Sequence, residues 1–318
     1  CEYLYRSRNV NCEPQQIILG AGNEYLQLLL SQILGKDRWV AMESPTYLQA
    51  YRTFCNIGYK VKEIELDESG LLIGQLRDSG ADLAYVMPSH QFPLGTVMQM
   101  KRRLELLGWA AEKPERYIIE DDYDSELRLT GKPFPTLQSI DVSDRVIYMN
   151  TFTKTLASTV RISYMVLPLT LTEIFYQKLS FYSCTVSNFE QYTLAKFMEN
   201  GSFEKHINRL RNYYQTKRDA ILQVFQKEPL GKYVTIREEG AGVHFLMQIR
   251  TEKRKADYIP IFAGGEEYSQ EIICPIISGG DVMGTVVFLH KEEHKKFSEV
   301  EEKMAAVAAE FLGRQMEQ

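Results

Sequence analysis

Asn150-Thr151-Phe152-Thr153-Lys154-Thr155-Leu156, followed by Arg161 and the apolar run Ile162-Ser163-Tyr164-Met165-Val166-Leu167, is the stretch on which the reading of the chain turns. It sets a lysine in a loop between two apolar strands, with hydroxyls on both sides and an arginine seven residues on. An amine kept partly desolvated beside another cation becomes nucleophilic enough to form an imine with an aldehyde. Thr151, Thr153 and Arg161 suit a phosphate on the same molecule. Taken alone, a lysine in a threonine-rich loop is ordinary solvated surface.

A second stretch changes that balance. Tyr117-Ile118-Ile119-Glu120-Asp121-Asp122-Tyr123-Asp124 is an apolar strand that ends in carboxylates, and Asp121 lies 33 residues before Lys154. A buried aspartate there pairs with a protonated pyridine nitrogen and turns the ring into an electron sink, while Tyr123 reaches a ring hydroxyl. By itself the stretch reads equally well as an acidic loop solvating a strand end. Lysine, aspartate, hydroxyls and arginine together point to pyridoxal 5'-phosphate.

These stretches together resemble the fold-type I pyridoxal phosphate proteins, the aspartate aminotransferase superfamily. More narrowly, Pro88-Ser89-His90-Gln91-Phe92-Pro93-Leu94-Gly95, Ile119 to Glu126 and Arg161 to Pro168 are similar to the MocR subfamily of GntR-type transcriptional regulators, and to its GabR-like members above all. The resemblance implies an α/β fold: a large cofactor-binding domain over residues 1–205, with a mostly parallel sheet covered by helices, and a smaller α+β domain over residues 206–318. It implies an effector-binding and oligomerisation domain, homodimeric, that holds the cofactor as an imine on Lys154 and senses an amino compound. DNA would be bound only through a winged helix-turn-helix that, with an N-terminal arm, lies outside this sequence. A catalytically active aminotransferase is the alternative.

By the same resemblance the phosphate cup maps to Ala21, Gly22 and Asn23, and the aromatic ring that stacks on the pyridine maps to Tyr47. The effector side maps to His90, Gln91, Gln49, Leu289 and His290. The departures are as informative. Phe92 stands where aminotransferases carry an asparagine that touches the cofactor, and Gln49 where GabR-like relatives carry an arginine. Phe288-Leu289-His290-Lys291 lacks the arginine that clamps a substrate carboxylate, a role suited to a bidentate guanidinium. No arginine occurs between Arg254 and Arg314. Those losses favour a sensor over an enzyme.

Composition sets outer limits. A chain of 318 residues is long enough to bury a sizeable core, and 44% hydrophobic with 25% charged residues is ordinary for a globular protein. A net charge of −5 argues against nucleic-acid binding by this chain alone, because neutralising phosphates takes a concentrated basic face. Five scattered cysteines with no CxxC spacing give neither a disulfide framework nor a zinc site, and fit a reducing cytoplasm. No metal is expected.

Along the chain, the strand Gln16 to Leu19 turns through Gly20-Ala21-Gly22 into an amphipathic helix ending at Leu34, a geometry that aims backbone amides at an anion. Trp39 to Met42 is a strand, and Glu43-Ser44-Pro45-Thr46-Tyr47 starts the following helix, with proline near its first turn. Lys60 to Leu66 and Leu83 to Met87 are further strands. The loop from Pro88 to Gly95 follows a strand's carboxyl end, where α/β sheets place ligands. From Leu171 to about Glu228 the pattern is helical, with breaks near Ser183 to Asn188 and at Asn200-Gly201-Ser202. Its aromatic residues read as core plus dimer surface. Strands are expected at Val234 to Ile236, Val243 to Met247, near Ile272 and at Val286 to Leu289. A helix is expected before Gly264-Gly265, and a final one to Leu312.

Overall fold

The computed structural model describes residues 1–129, 131, 134–157, 159–227, 234–237, 244–249, 270–278, 281–290 and 298–317; for 270–278 and 281–290 it describes the backbone alone. The chain divides into two compact units: Cys1–Tyr214 with Glu238–His244, and Gln215–Arg237 with Phe245–Gln318. The expected helix before Gly264 lies outside the described residues.

In the first unit, apolar strands alternate with amphipathic helices and so build one sheet. Its strands are β1 (Ile17–Gly20), β2 (Trp39–Ser44), β3 (Lys60–Asp67), β4 (Gly70–Leu71), β5 (Leu83–Val86), β6 (Tyr117–Asp121), β7 (Val146–Thr151) and β8 (Ser163–Val166). They lie in the order β1-β8-β7-β6-β5-β2-β3-β4. The pairs from β3 through β2, β5 and β6 to β7 are parallel. β8 runs antiparallel to β7 and to β1, which gives β1 the direction of β7. Strand order reverses between β2 and β5, the kind of switch point that opens a crevice at the strands' carboxyl ends. The carboxyl ends of β1, β2, β5, β6 and β7 and the start of β8 therefore share one edge.

Side chains alternate between the two faces because a strand repeats every two residues. Ile119, Tyr85 and Ile147 pack with Leu26, Leu30 and Ile33 of α2 (Asn23–Leu34) and Phe54 of α3 (Leu48–Ile57). Their neighbours Ile118, Ala84 and Val146 pack on the other face, with Leu76 of α4 (Ile73–Asp78) and Trp109 of α5 (Met100–Ala111). A third cluster joins Leu4 of α1 (Glu2–Arg8) to Tyr148, Phe152 and Tyr164, and to Phe203 at the start of α9 (Ser202–Gln226). Between these elements come α6 (Leu137–Ile140), α7 (Leu169–Leu179) and α8 (Asn188–Glu199), the last begun by a Ser187/Glu190 capping box.

One expected boundary is corrected. The helix does not start at Glu43: β2 continues through Ser44, held in register with β3 as far as Ser44↔Glu65, and α3 begins at Leu48 with Tyr47 as its N-cap. The second unit contains the antiparallel pairs β9 (Val234–Arg237) with β10 (Leu246–Ile249) and β11 (Gln270–Ser278) with β12 (Asp281–His290). It also holds α10 (Glu299–Glu317), on which Ala305 and Ala309 are buried. Among the described residues no helix is long and apolar enough to cross a membrane.

Candidate functional site

Both glycines of the first turn have a physical reason to be there. Gly22 caps α2 with φ of 105°, a region that L side chains avoid, and a Cβ on it would lie 2.3 Å from Arg161 Nη2. A Cβ on Gly20 would meet Leu26 at 2.7 Å. The start of β8 thus carries the Arg161 guanidinium onto the amino end of α2, an anion-attracting place. Arg161 is also 3.1 Å from Glu24, which accepts from Gln49 Nε2 at 2.5 Å, and Gln49 in turn accepts from the Tyr47 hydroxyl at 2.8 Å. The Ala21 amide donates to Thr185 Oγ1 at 2.9 Å. Across the edge, the hydroxyls of Thr151 and Thr153 lie 2.9 Å apart at the end of β7.

Lys154 follows in the loop after β7, which closes through the Phe152 amide donating to the Ile162 carbonyl at 2.9 Å. The partial desolvation expected of this lysine is not supplied by the chain: Lys154 is exposed. Its ammonium is still near enough to His244 to oppose that imidazole's protonation.

Asp121 ends β6 and is buried. Its Oδ2 accepts from the Tyr85 hydroxyl and, at 3.4 Å, from Asn23 Nδ2, whereas Oδ1 is buried with no hydrogen-bond partner. Burial pushes its pKa up to about 7; the Tyr85 hydrogen bond opposes this and the Asp122 charge adds to it. A buried carboxyl raised in this way, with a spare oxygen, lacks one thing, a cationic donor.

Asp122, one residue on, points away and is spoken for. Arg8 donates to it from Nε at 2.6 Å and from Nη2 at 3.1 Å, and the hydroxyls of Tyr148 and Ser125 donate at 2.7 and 2.8 Å. Burial alone would raise this carboxyl, but Arg8 and these hydrogen bonds hold it below its ordinary value. Arg8 Nη2 also reaches Ser89 Oγ at 2.8 Å, so α1 is fastened to the loops after both β5 and β6.

Rings from those loops meet Tyr47 and His244. His90 Nδ1 is 2.7 Å from Asp124 Oδ2 and 3.4 Å from the Tyr123 hydroxyl. The His90 and His244 rings stack at 3.8 Å, while Phe92 meets Tyr47 edge to face at 5.7 Å and His244 at 5.5 Å. Gln91 is turned to a different use from the one expected. Its amide nitrogen donates to the carbonyls of Pro45 and Phe92 at 2.7 and 2.9 Å and its oxygen accepts from the Leu94 amide at 3.0 Å, so it braces the loop.

Of the residues expected from sequence, Ala21, Gly22, Asn23, Tyr47, Gln49, His90, Asp121, Tyr123, Thr151, Thr153, Lys154 and Arg161 all lie on or beside this one sheet edge. Leu289 and His290 end β12, paired with Glu271 and Gln270, in the second unit, where the backbone alone is described. Sequence reasoning missed Tyr85, Glu24, Asp124, His244 and Arg8. Tyr85 carried a usable signal, a lone hydroxyl inside the buried strand Leu83-Ala84-Tyr85-Val86. The others did not, because their partners are remote in sequence.

The family model described as "Aminotransferase class I and II" matches residues 1–259. A second, "Stage V sporulation protein T C-terminal, transcription factor", matches residues 216–317. The HTH-type transcriptional regulator YdeL of Bacillus subtilis, itself described as uncharacterized, is 45% identical over 248 residues, covering 78% of this chain and 53% of that protein. The probable rhizopine catabolism regulatory protein MocR of Rhizobium meliloti is 36% identical, covering 77% and 50%. The chain thus spans about half the length of the curated relatives it matches. Among solved structures, the multiple substrate aminotransferase of Thermococcus profundus superposes with a TM-score of 0.64 at 29% identity, covering 76% of this chain and 62% of that one. The chain belongs to the class I and II aminotransferase family, with the fold-type I architecture, and within it to the branch found in MocR-type regulators.

Proposed function

We propose that the first unit binds pyridoxal 5'-phosphate and serves as the effector-sensing domain of a MocR-type transcriptional regulator. The observation that carries the reading is Asp121: a buried carboxyl at the end of β6 with an unpartnered Oδ1 fits a pyridinium N–H. Around it, Lys154 would hold the cofactor covalently, Tyr123 would meet the ring hydroxyl and Tyr47 the ring face. Gly22, Ala21, Asn23, Thr151, Thr153 and Arg161 would hold the phosphate, with Arg161 exchanging its exposed partner Glu24 for it. When bound, the cofactor supplies an aldehyde carbon that condenses with primary amines and a ring that draws off electron density.

The chain's own residues then set what is recognised. His90, held by Asp124, and the Phe92 and Tyr47 rings line the side from which an amino compound enters. Exposed Phe181, Phe189 and Tyr192 are apolar surface that a homodimer would cover. DNA contact would belong to a part of the full-length regulator outside this chain, as the names of its relatives suggest. A working aminotransferase is the second reading, favoured by the likeness to the Thermococcus profundus enzyme.

Borohydride reduction of the cofactor-loaded protein, followed by peptide mass mapping, tests the site. The label is expected on Lys154, and a label on another lysine, or none, would refute it. Amine screening by visible absorption then separates the two readings. A stable spectral change without keto-acid product supports the sensor.

A further inference from the structure

We propose that His90, Asp124 and His244 form a binding site for one divalent transition-metal ion of the zinc class. The three residues come from the loop after β5, the loop after β6 and the end of the Glu238–His244 segment, all within the first unit. One potential ligand atom from each lies within 4.8 Å of the other two, and among the described residues this is the one group of three so arranged.

Unsatisfied polar atoms point the same way. His90 and Asp124 are buried, with 1% of each side chain exposed. His90 Nε2, Asp124 Oδ1 and His244 Nε2 are each buried without a hydrogen-bond partner. A single such atom costs about 1–3 kcal/mol, so three on touching residues mark a polar site short of a partner. His90 Nδ1 and Asp124 Oδ2 lie 2.7 Å apart, a spacing that two donors to one metal ion can take up once the proton between them is released.

Donor type narrows the ligand. The His244 ring stacks on His90 at 3.8 Å, and an imidazole ligates a metal as the neutral base. Two nitrogens and one carboxylate oxygen suit zinc, cobalt or nickel rather than magnesium or calcium, and three protein ligands leave a fourth position open. The scattered cysteines gave no hint of this site, because its residues are 34 and 120 positions apart in sequence.

The test uses the whole chain, stripped with chelator and carrying Cys1→Ser, Cys12→Ser, Cys55→Ser and Cys184→Ser so that accessible thiols do not compete. Calorimetric titration with Zn(II) is expected to show one saturable equivalent, with Mg(II) showing none. His90→Gln, His244→Gln and Asp124→Asn should each weaken Zn(II) binding by about tenfold or more. His206→Gln should leave it unchanged. Zinc K-edge absorption on the same cysteine-substituted chain, histidines intact, reads the site without relying on a histidine variant's fold, and two imidazoles with no sulfur are expected. No saturable equivalent, full affinity in either His variant, or a first shell without imidazole would overturn the proposal.

Discussion

Replacing Asp121 with Asn should make the cofactor-free protein more stable while weakening the cofactor site. A carboxyl whose pKa is raised on folding costs nothing well below pH 3.8, where folded and unfolded chains both hold the proton. As pH rises from there, the unfolded chain ionises and the folded one does not, so stability is lost until the folded group ionises at about 7. At about 1.4 kcal/mol per pH unit the cost is about 2 kcal/mol at pH 5 and about 4 kcal/mol at pH 8. Asparagine keeps the oxygen that accepts from Tyr85 and does not ionise. Its amide adds a buried donor, a penalty that does not vary with pH. The decisive quantity is therefore the change in the difference between variant and parent, which should favour the variant by about 2 to 3 kcal/mol more at pH 8 than at pH 5. The other buried carboxyls raised by burial, Glu43, Glu120 and Glu126, are common to both proteins and drop out of that difference. Urea unfolding of both cofactor-free proteins at the two pH values measures it. A difference independent of pH, or one that shrinks as pH rises, would refute the assignment of a strained carboxyl at this position.

Arg8→Met leaves Asp122 as an unpaired buried charge and should cost about 3 to 5 kcal/mol in urea unfolding, and a loss below about 1 kcal/mol would show that the pair is not buried in solution. Glu24→Gln frees Arg161 from an exposed pair and should tighten pyridoxal phosphate binding about two- to fivefold by fluorescence titration, with no gain for pyridoxal lacking the phosphate; an equal gain for both would place the effect elsewhere. With no arginine between Arg254 and Arg314 to clamp a carboxylate, transamination of common amino acids with 2-oxoglutarate should run more than about tenfold below ordinary enzyme rates. Sustained multiple turnover, read by keto-acid formation, would favour the enzyme.

Much of the fold was legible because its strands are apolar and its helices amphipathic. Ile118 and Ile119 face opposite layers as a doubly covered strand requires, and the switch point follows from strand order. The antiparallel insertion of β8 was not visible in any periodicity, since four apolar residues fit either direction. Pro45 misled in another way: a proline after a strand resembles a first helical turn, yet pairing with β3 carries the strand past Glu43. The site divides along the same line. Lys154, Asp121, Gly22 and Arg161 carry chemistry that their residue types announce. Glu24 and Arg8 are defined by ion-pair partners more than a hundred residues away, Arg161 and Asp122, and only folding brings those together.

The antiparallel pairing of β1 with β8 has a consequence for how the protein is made. Ile17 meets Val166 and Gly20 meets Ser163, so the amino-terminal strand has no lasting partner until synthesis has passed the eighth. The parallel block from β2 to β7 can condense while the chain is still emerging, but Gly22 and Arg161 meet only after that late closure. Long-range pairing of this kind is slow and leaves an unpaired edge exposed meanwhile. A nascent chain stalled before residue 160 should therefore be compact yet lack the anion-binding turn, and the ability to hold a phosphate would arise abruptly, as the last stitch of the sheet, rather than growing with chain length.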